Sequence, residues 1–213
     1  MTARRLPVYL LIDTSGSMRG EPIESVNTGL QAMLASLRTD PFALESVYLS
    51  VVTFDSEVKQ LFPLTELADV DLPHIDTPQS GATHLGRALE FLCHDVDTSV
   101  IRSTTERKGD WMPLLIVMTD GSPSDLETFR RQVQEVQRRN FAQIIGCAAG
   151  PKAKDEYLKE LTHNVVHLDT TDSGTFQQFF KWVSASVSSG NRSMGSVAQA
   201  QLPPAPPELR IVV

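Results

Sequence analysis

Long apolar runs are missing from this 213-residue chain. The first, Val8 to Ile12, stops at Asp13, far short of the ~20 residues a membrane helix needs. It is also shorter than the apolar part of a secretory signal, although Arg4 and Arg5 precede it. Cysteine is scarce. Cys93 and Cys147 lie far apart, each inside an apolar pattern, which excludes a disulfide-rich scaffold and fits buried free thiols in a reducing compartment. Basic residues are outnumbered, 19 Lys and Arg against 26 Asp and Glu for a net charge of −7, so the molecule as a whole would repel a phosphate backbone. Nucleic acid and membrane are therefore not expected partners, and the expected location is the cytoplasm. Neither Gly-x-x-x-x-Gly-Lys-Ser/Thr nor Gly-x-Ser-x-Gly occurs, which removes a P-loop and a hydrolase elbow.

What is present is an alternation of apolar runs with amphipathic stretches. Val8 to Ile12, Val47 to Phe54, Leu114 to Met118, Ala142 to Ala149 and Val165 to Leu168 have the length and β-branched content of strands, with Val58 to Leu64 a weaker one after the short Asp55-Ser56-Glu57 turn. Between them, Ile23, Val26, Leu30, Met33, Leu34 and Leu37 recur at helical spacing, as do Leu85, Ala88, Leu89, Leu92 and Val96, then Phe129, Val133 and Val136. Ser124 to Glu127 fits a capping box for the last of these helices, Asp155 to Leu161 a short helix, and Thr175 to Ser188 a longer one. Residues 65–82 carry prolines and acids without period and read as a long surface loop. The order predicts an α/β fold: a doubly wound, Rossmann-like, mostly parallel six-stranded sheet with one antiparallel edge strand and helices on both faces. One domain accounts for residues 1–189. Residues 190–213 form a Ser/Ala/Pro-rich tail, read by default as a mobile end, with addition of Leu209 to Val213 to a sheet edge as the alternative.

Ligands of open α/β sheets bind beyond the carboxyl ends of the strands, so the residues that follow each buried strand matter most. After the first come Asp13-Thr14-Ser15-Gly16-Ser17, and after the fourth Thr119-Asp120-Gly121. Two carboxylates and several hydroxyls leave neighbouring strands toward one crevice. Such hard oxygens suit Mg²⁺, which is commonly held by one or two carboxylates plus waters. Asp-x-Ser-x-Ser brings Asp13, Ser15 and Ser17 to one point if the loop curls, and Gly16 permits a curl.

These motifs resemble the von Willebrand factor A domain family, whose metal-ion-dependent adhesion site combines Asp-x-Ser-x-Ser with a later Thr and an Asp after the fourth strand. The resemblance extends from residue 7 to about 189 and adds Thr83, in Ser80-Gly81-Ala82-Thr83-His84-Leu85, to the set. It implies Ser15, Ser17 and Thr83 as hydroxyl ligands, Asp13 and Asp120 binding directly or through water, and a partner protein's Asp or Glu at the remaining position. Mg²⁺ or Mn²⁺ is expected ahead of Ca²⁺, and a binding module rather than an enzyme. The segment Leu10 to Ile23 further resembles bacterial tellurium-resistance TerY-type proteins. That implies a cytoplasmic scaffold of a stress-response or tellurite-resistance system that includes a kinase and a PP2C-like phosphatase.

Other readings compete. A metal-dependent phosphohydrolase could use the same ion, with His84, Asp55 or Glu21 as base. A structural ion is a third reading. Arg130, Arg131, Arg138 and Arg139 form a basic stretch, read as a solvated helix face ahead of an anionic-partner surface, and Cys93 and Cys147 are reactive only if exposed with lowered pKa.

Overall fold

The computed structural model describes residues 4–79, 81–193, 203–207 and 209–212. β1 (Leu6–Asp13) lies between β2 (Val47–Phe54) and β4 (Leu114–Thr119), parallel to both. Beyond β4 follow β5 (Gln143–Ala149) and β6 (Val165–Leu168), also parallel, and beyond β2 the antiparallel edge strand β3 (Val58–Glu66). A three-residue β7 (Arg210–Val212) pairs antiparallel with β6 at the other edge. The order is β3-β2-β1-β4-β5-β6-β7.

Among the described residues the sheet thus has seven strands, where six were expected, and an antiparallel strand at each edge instead of one. The alternative reading of the tail, addition of Leu209 to Val213 to a sheet edge, is the one the structure shows for Arg210–Val212; which edge it joins depends on distant residues. For residues 203–207 and 209–212 the default reading of a mobile end is corrected with it. Leu209 is buried, Ala205 packs against the core, and the Trp182 indole N–H donates to the Pro203 carbonyl at 2.9 Å. The Ser/Ala/Gln-rich stretch 194–202 lies outside the described residues.

Side chains of β1 alternate between two separate cores, which is why its sequence is continuously apolar. Val8, Leu10 and Ile12 pack beneath α1 (Glu21–Arg38) and α6 (Ser173–Ser193). Tyr9 and Leu11 face α3 (Leu85–Ser99), α4 (Leu126–Gln137) and α5 (Asp155–Leu161). A short α2 (Pro41–Ser46) was not anticipated, because Asp40-Pro41 reads as the end of α1. Here Pro41 opens the new helix and the Asp40 carboxylate caps it, accepting from the Phe42 N–H at 3.0 Å.

The long loop before α3 is anchored rather than loose. Leu67, Val70 and Ile75 are buried, and Arg38 of α1 donates to the Leu67 and Val70 carbonyls. Asn27, on the buried face of α1, accepts from the Ile75 N–H and donates to the Ile75 carbonyl, both at 2.9 Å. Replacing Asn27 by Ala orphans two buried backbone groups, so a loss of about 2–3 kcal/mol is expected in urea unfolding. A loss under about 0.5 kcal/mol, the range of ordinary surface substitutions, would show that the loop holds itself.

Candidate metal centre

β1 and β4 end side by side, and the residues leaving them meet there. Asp13 closes β1 and is wholly buried. Its Oδ1 accepts from the Ser15 N–H at 2.7 Å and its Oδ2 from the Thr119 hydroxyl at 2.5 Å. The chain then makes one 3₁₀ turn, Gly16–Met18, with Met18 buried as an anchor while Ser17 remains exposed. Ser15 Oγ and Ser17 Oγ lie 3.1 Å apart, and Ser17 Oγ donates to Asp120 Oδ1 at 2.8 Å. The expected curl is therefore present. The glycine that needs a left-handed backbone is Gly20, at φ +87° where the chain enters α1, rather than Gly16.

Thr83 precedes α3 and is buried. Its N–H donates to Ser124 Oγ at 3.1 Å, and the Ser124 N–H donates to its carbonyl at 2.8 Å. Its hydroxyl lies beside Gly121, where a Cβ would come within 3.1 Å of Thr83 Oγ1. The glycine after Asp120 thus allows the two loops to close on each other. Asp13, Ser15, Ser17 and Asp120 are joined by hydrogen bonds, the first through the Ser15 backbone N–H and the others between oxygens, with Thr83 adjacent through Gly121.

Burial pushes the Asp13 carboxyl up to about 6, against the lowering effect of its bonds from Thr119 and Ser15, and the charge of Asp120 adds to the rise. Asp120 is raised for the same reason. Among the described residues no basic side chain offsets either carboxylate. Nor, among the described residues, do three or more His, Cys, Asp or Glu side chains gather as a metal cluster. The donor set is two carboxylates and hydroxyls, and a buried carboxylate without a cation is the feature a divalent ion would offset.

Other residues named from the sequence have different surroundings. Asp55 accepts from the Thr14 hydroxyl at 3.0 Å and from the Glu57 N–H at 2.9 Å, so it braces the first loop. His84 Nδ1 lies 3.0 Å from the Ser56 carbonyl oxygen. Glu21 stands exposed in the first turn of α1. Arg130, Arg131, Arg138 and Arg139 pair with Glu160, Glu90, Glu135 and Asp97, which makes that stretch an ion-paired helix face. Both cysteines are free and buried; burial pushes Cys93 up to about 11 and Cys147 upward as well, which suppresses the thiolate. Cavities of about 590 and 450 Å³ lie at the amino-terminal ends of β4, β5 and β6, away from these oxygens.

Thr119, read from the sequence as the first residue after the fourth strand, instead closes β4 and gives its hydroxyl to Asp13. Two contributors escaped sequence reasoning. Ser124 and Asp125 read as a capping box for α4. Instead the Asp125 side chain makes no bond to α4, and Ser124 Oγ is taken by Thr83. Among the described residues no helix is long and apolar enough to cross a membrane.

The model of the von Willebrand factor type A domain matches residues 8–182. No curated protein matches the chain significantly. Among solved structures, proximal thread matrix protein 1 from the mussel byssus, in a structure with a zinc-occupied MIDAS motif, is 17% identical. That likeness covers 87% of this chain and 48% of that one, with a TM-score of 0.61. The ArnB paralog VWA2 from Sulfolobus acidocaldarius is 16% identical over 87% of this chain and 46% of its own, with a TM-score of 0.57. The pilus adhesin SpaC from Lactobacillus rhamnosus GG is 12% identical over 89% and 31%, with a TM-score of 0.65. The chain spans half or less of the length of these three proteins.

Proposed function

Because this chain belongs to the von Willebrand factor type A family, we propose that it is a divalent-metal-dependent protein-binding module in which Asp13, Ser15, Ser17, Thr83 and Asp120 hold the ion. The observation that carries this reading is the buried Asp13, joined through Ser15 and Ser17 to Asp120 without a basic partner among the described residues. The Thr119 hydroxyl and the Ser15 N–H fix both Asp13 oxygens, so this carboxylate has one orientation and holds the loop in shape. Exposed Ser17 and half-buried Asp120 sit at the mouth of the crevice. An ion held by these residues would supply a Lewis-acidic position for an Asp or Glu of a partner protein.

Mg²⁺ is the proposed ion, with Mn²⁺ and Ca²⁺ as alternatives, because hydroxyls with few carboxylates suit a small hard cation. The role is binding, not catalysis. Of the candidate bases for a phosphohydrolase, both Asp55 oxygens accept bonds within the fold and His84 Nδ1 faces a backbone carbonyl, which favours a bracing role. The Leu10 to Ile23 segment supports a narrower proposal: a cytoplasmic scaffold of TerY type in a tellurite-resistance or stress-response system, with a kinase and a PP2C-like phosphatase as partners.

The test is capture from a lysate of the source cells on immobilised protein, with Mg²⁺ or with EDTA, beside Asp13→Ala. The expected result is a partner retained only with metal and only by the unaltered chain. Retention in excess chelator, or by Asp13→Ala, would overturn the proposal.

A further inference from the structure

The amino end of α3 is capped from another loop. His84 occupies the N-cap position of α3 without a side-chain capping bond. The Asp125 carboxylate fills that role from the β4–α4 connection, 39 positions along the chain: Oδ1 accepts from the Gly86 N–H at 3.1 Å. Its Oδ2 accepts from the Arg87 N–H at 2.8 Å. A negative group at this end also complements the helix dipole. The approach requires Gly86, since a Cβ there would come 2.4 Å from the Phe129 backbone nitrogen and 2.7 Å from Asp125 Oδ2.

Ser124, the preceding residue, holds Thr83 through both its N–H and its carbonyl. Thr83 is thus fixed from two sides, by Ser124 directly and by α3, whose first turn Asp125 clamps. The connection that supplies both side chains begins at Asp120. One continuous segment, 119–125, therefore carries one proposed metal ligand and locks another in place, and the hydroxyl of Thr83 has little freedom relative to Asp120.

We propose that Asp125 is a positioning residue for the metal centre: by capping α3 from the Asp120 loop, it sets the Thr83 hydroxyl and so tunes metal affinity without touching the ion. This rests on the metal-binding reading given above. Residues that orient metal ligands from behind typically change affinity by about 10–100-fold when removed.

The experiment is Mn²⁺ titration of the full chain, read by water-proton relaxation at a temperature well below unfolding. The variants are Asp125→Ala, Asp125→Asn, Ser124→Ala, Thr83→Ala and the Asp125→Ala/Thr83→Ala pair, with Asp13→Ala as reference. Asp125→Ala should weaken binding about 10-fold or more. Asp125→Asn, which keeps an amide oxygen for one of the two N–H groups, should recover part of the loss. Once Thr83 is Ala, removing Asp125 should cost no further affinity, because its effect passes through that hydroxyl. A cap that serves stability alone would lower the melting temperature and leave Mn²⁺ affinity unchanged; that result, or losses that multiply in the double variant, overturns the inference. If Asp125→Ala does not fold, Ser124→Ala and Asp125→Asn carry the same test. Mn²⁺ uptake that is absent, or undiminished in Asp13→Ala, defeats instead the metal reading on which the inference stands.

Discussion

In metal-free buffer, Asp13→Asn should raise the melting temperature at pH 7.5 by roughly 6–12 °C relative to the unaltered chain, and by far less at pH 4. The carboxyl is wholly buried and sits at about 6 in the folded state against 3.8 when unfolded. The folded chain therefore binds this proton more tightly than the unfolded one. Its stabilising effect is complete below 3.8 and is lost as pH rises through about 6, a difference of about 3 kcal/mol. Asp120, raised by the same burial, acts with the same sign. Asp97 and Asp172, lowered by bonds from Arg139 and from Thr170, act oppositely: their stabilisation is present above the unfolded value and fades as pH falls through the folded one. Comparing the two proteins at each pH isolates Asp13. Asparagine keeps an oxygen for the Ser15 N–H and removes the buried charge. Saturating Mg²⁺ should reverse the order, stabilising the unaltered chain and leaving Asp13→Asn unmoved. Equal gains at both pH values would show that ionisation of Asp13 is not the cause.

Phe180→Ala should cost about 3–5 kcal/mol in urea unfolding, since a whole ring leaves a closed core. Phe180 is fully buried on α6 and meets Phe179 edge-to-face at 5.3 Å between ring centres. It also sits over Gly29 of α1, where a Cβ would come 2.3 Å from Phe180 Cδ2. Gly29→Ala is thus expected to destabilise by about 1–3 kcal/mol, even though alanine by itself favours a helix by about 1 kcal/mol over glycine. With Phe180 already removed, the added methyl occupies vacated space. The double variant should accordingly be more stable than the sum of the two losses by at least about 1 kcal/mol. Strict additivity would show that Gly29 is not there to admit the ring.

Much of the layout was legible because burial imposes period. Val8 to Ile12 could be recognised as a central strand since both its faces enter cores, and the stripe from Ile23 to Leu37 marks α1 in the same way. Asp13, Ser15, Ser17 and Asp120 stood out because they follow buried strands directly, where a parallel sheet puts its ligands. Features that depend on a distant partner left no such mark. Asn27 reads as an ordinary polar helix residue until the Ile75 backbone is placed beside it. Ser124 and Asp125 satisfy the local pattern of a capping box, yet their side chains bond to Thr83, Gly86 and Arg87. Local propensity alone cannot choose between those acceptor roles, because the competing donors differ only in tertiary position.

By itself, the sequence determined the α/β alternation, the parallel arrangement of the central strands and the oxygen-rich turns after β1 and β4, since hydrophobic period and strand-end position are local properties. Only the tertiary structure decided that β7 closes the far edge, that Asp13 is buried and raised in pKa, and that α3 is capped by Asp125. Each of these is a meeting of segments far apart in the chain, and a pattern read along the chain carries no information about which distant groups will be left to face one another once the cores have closed.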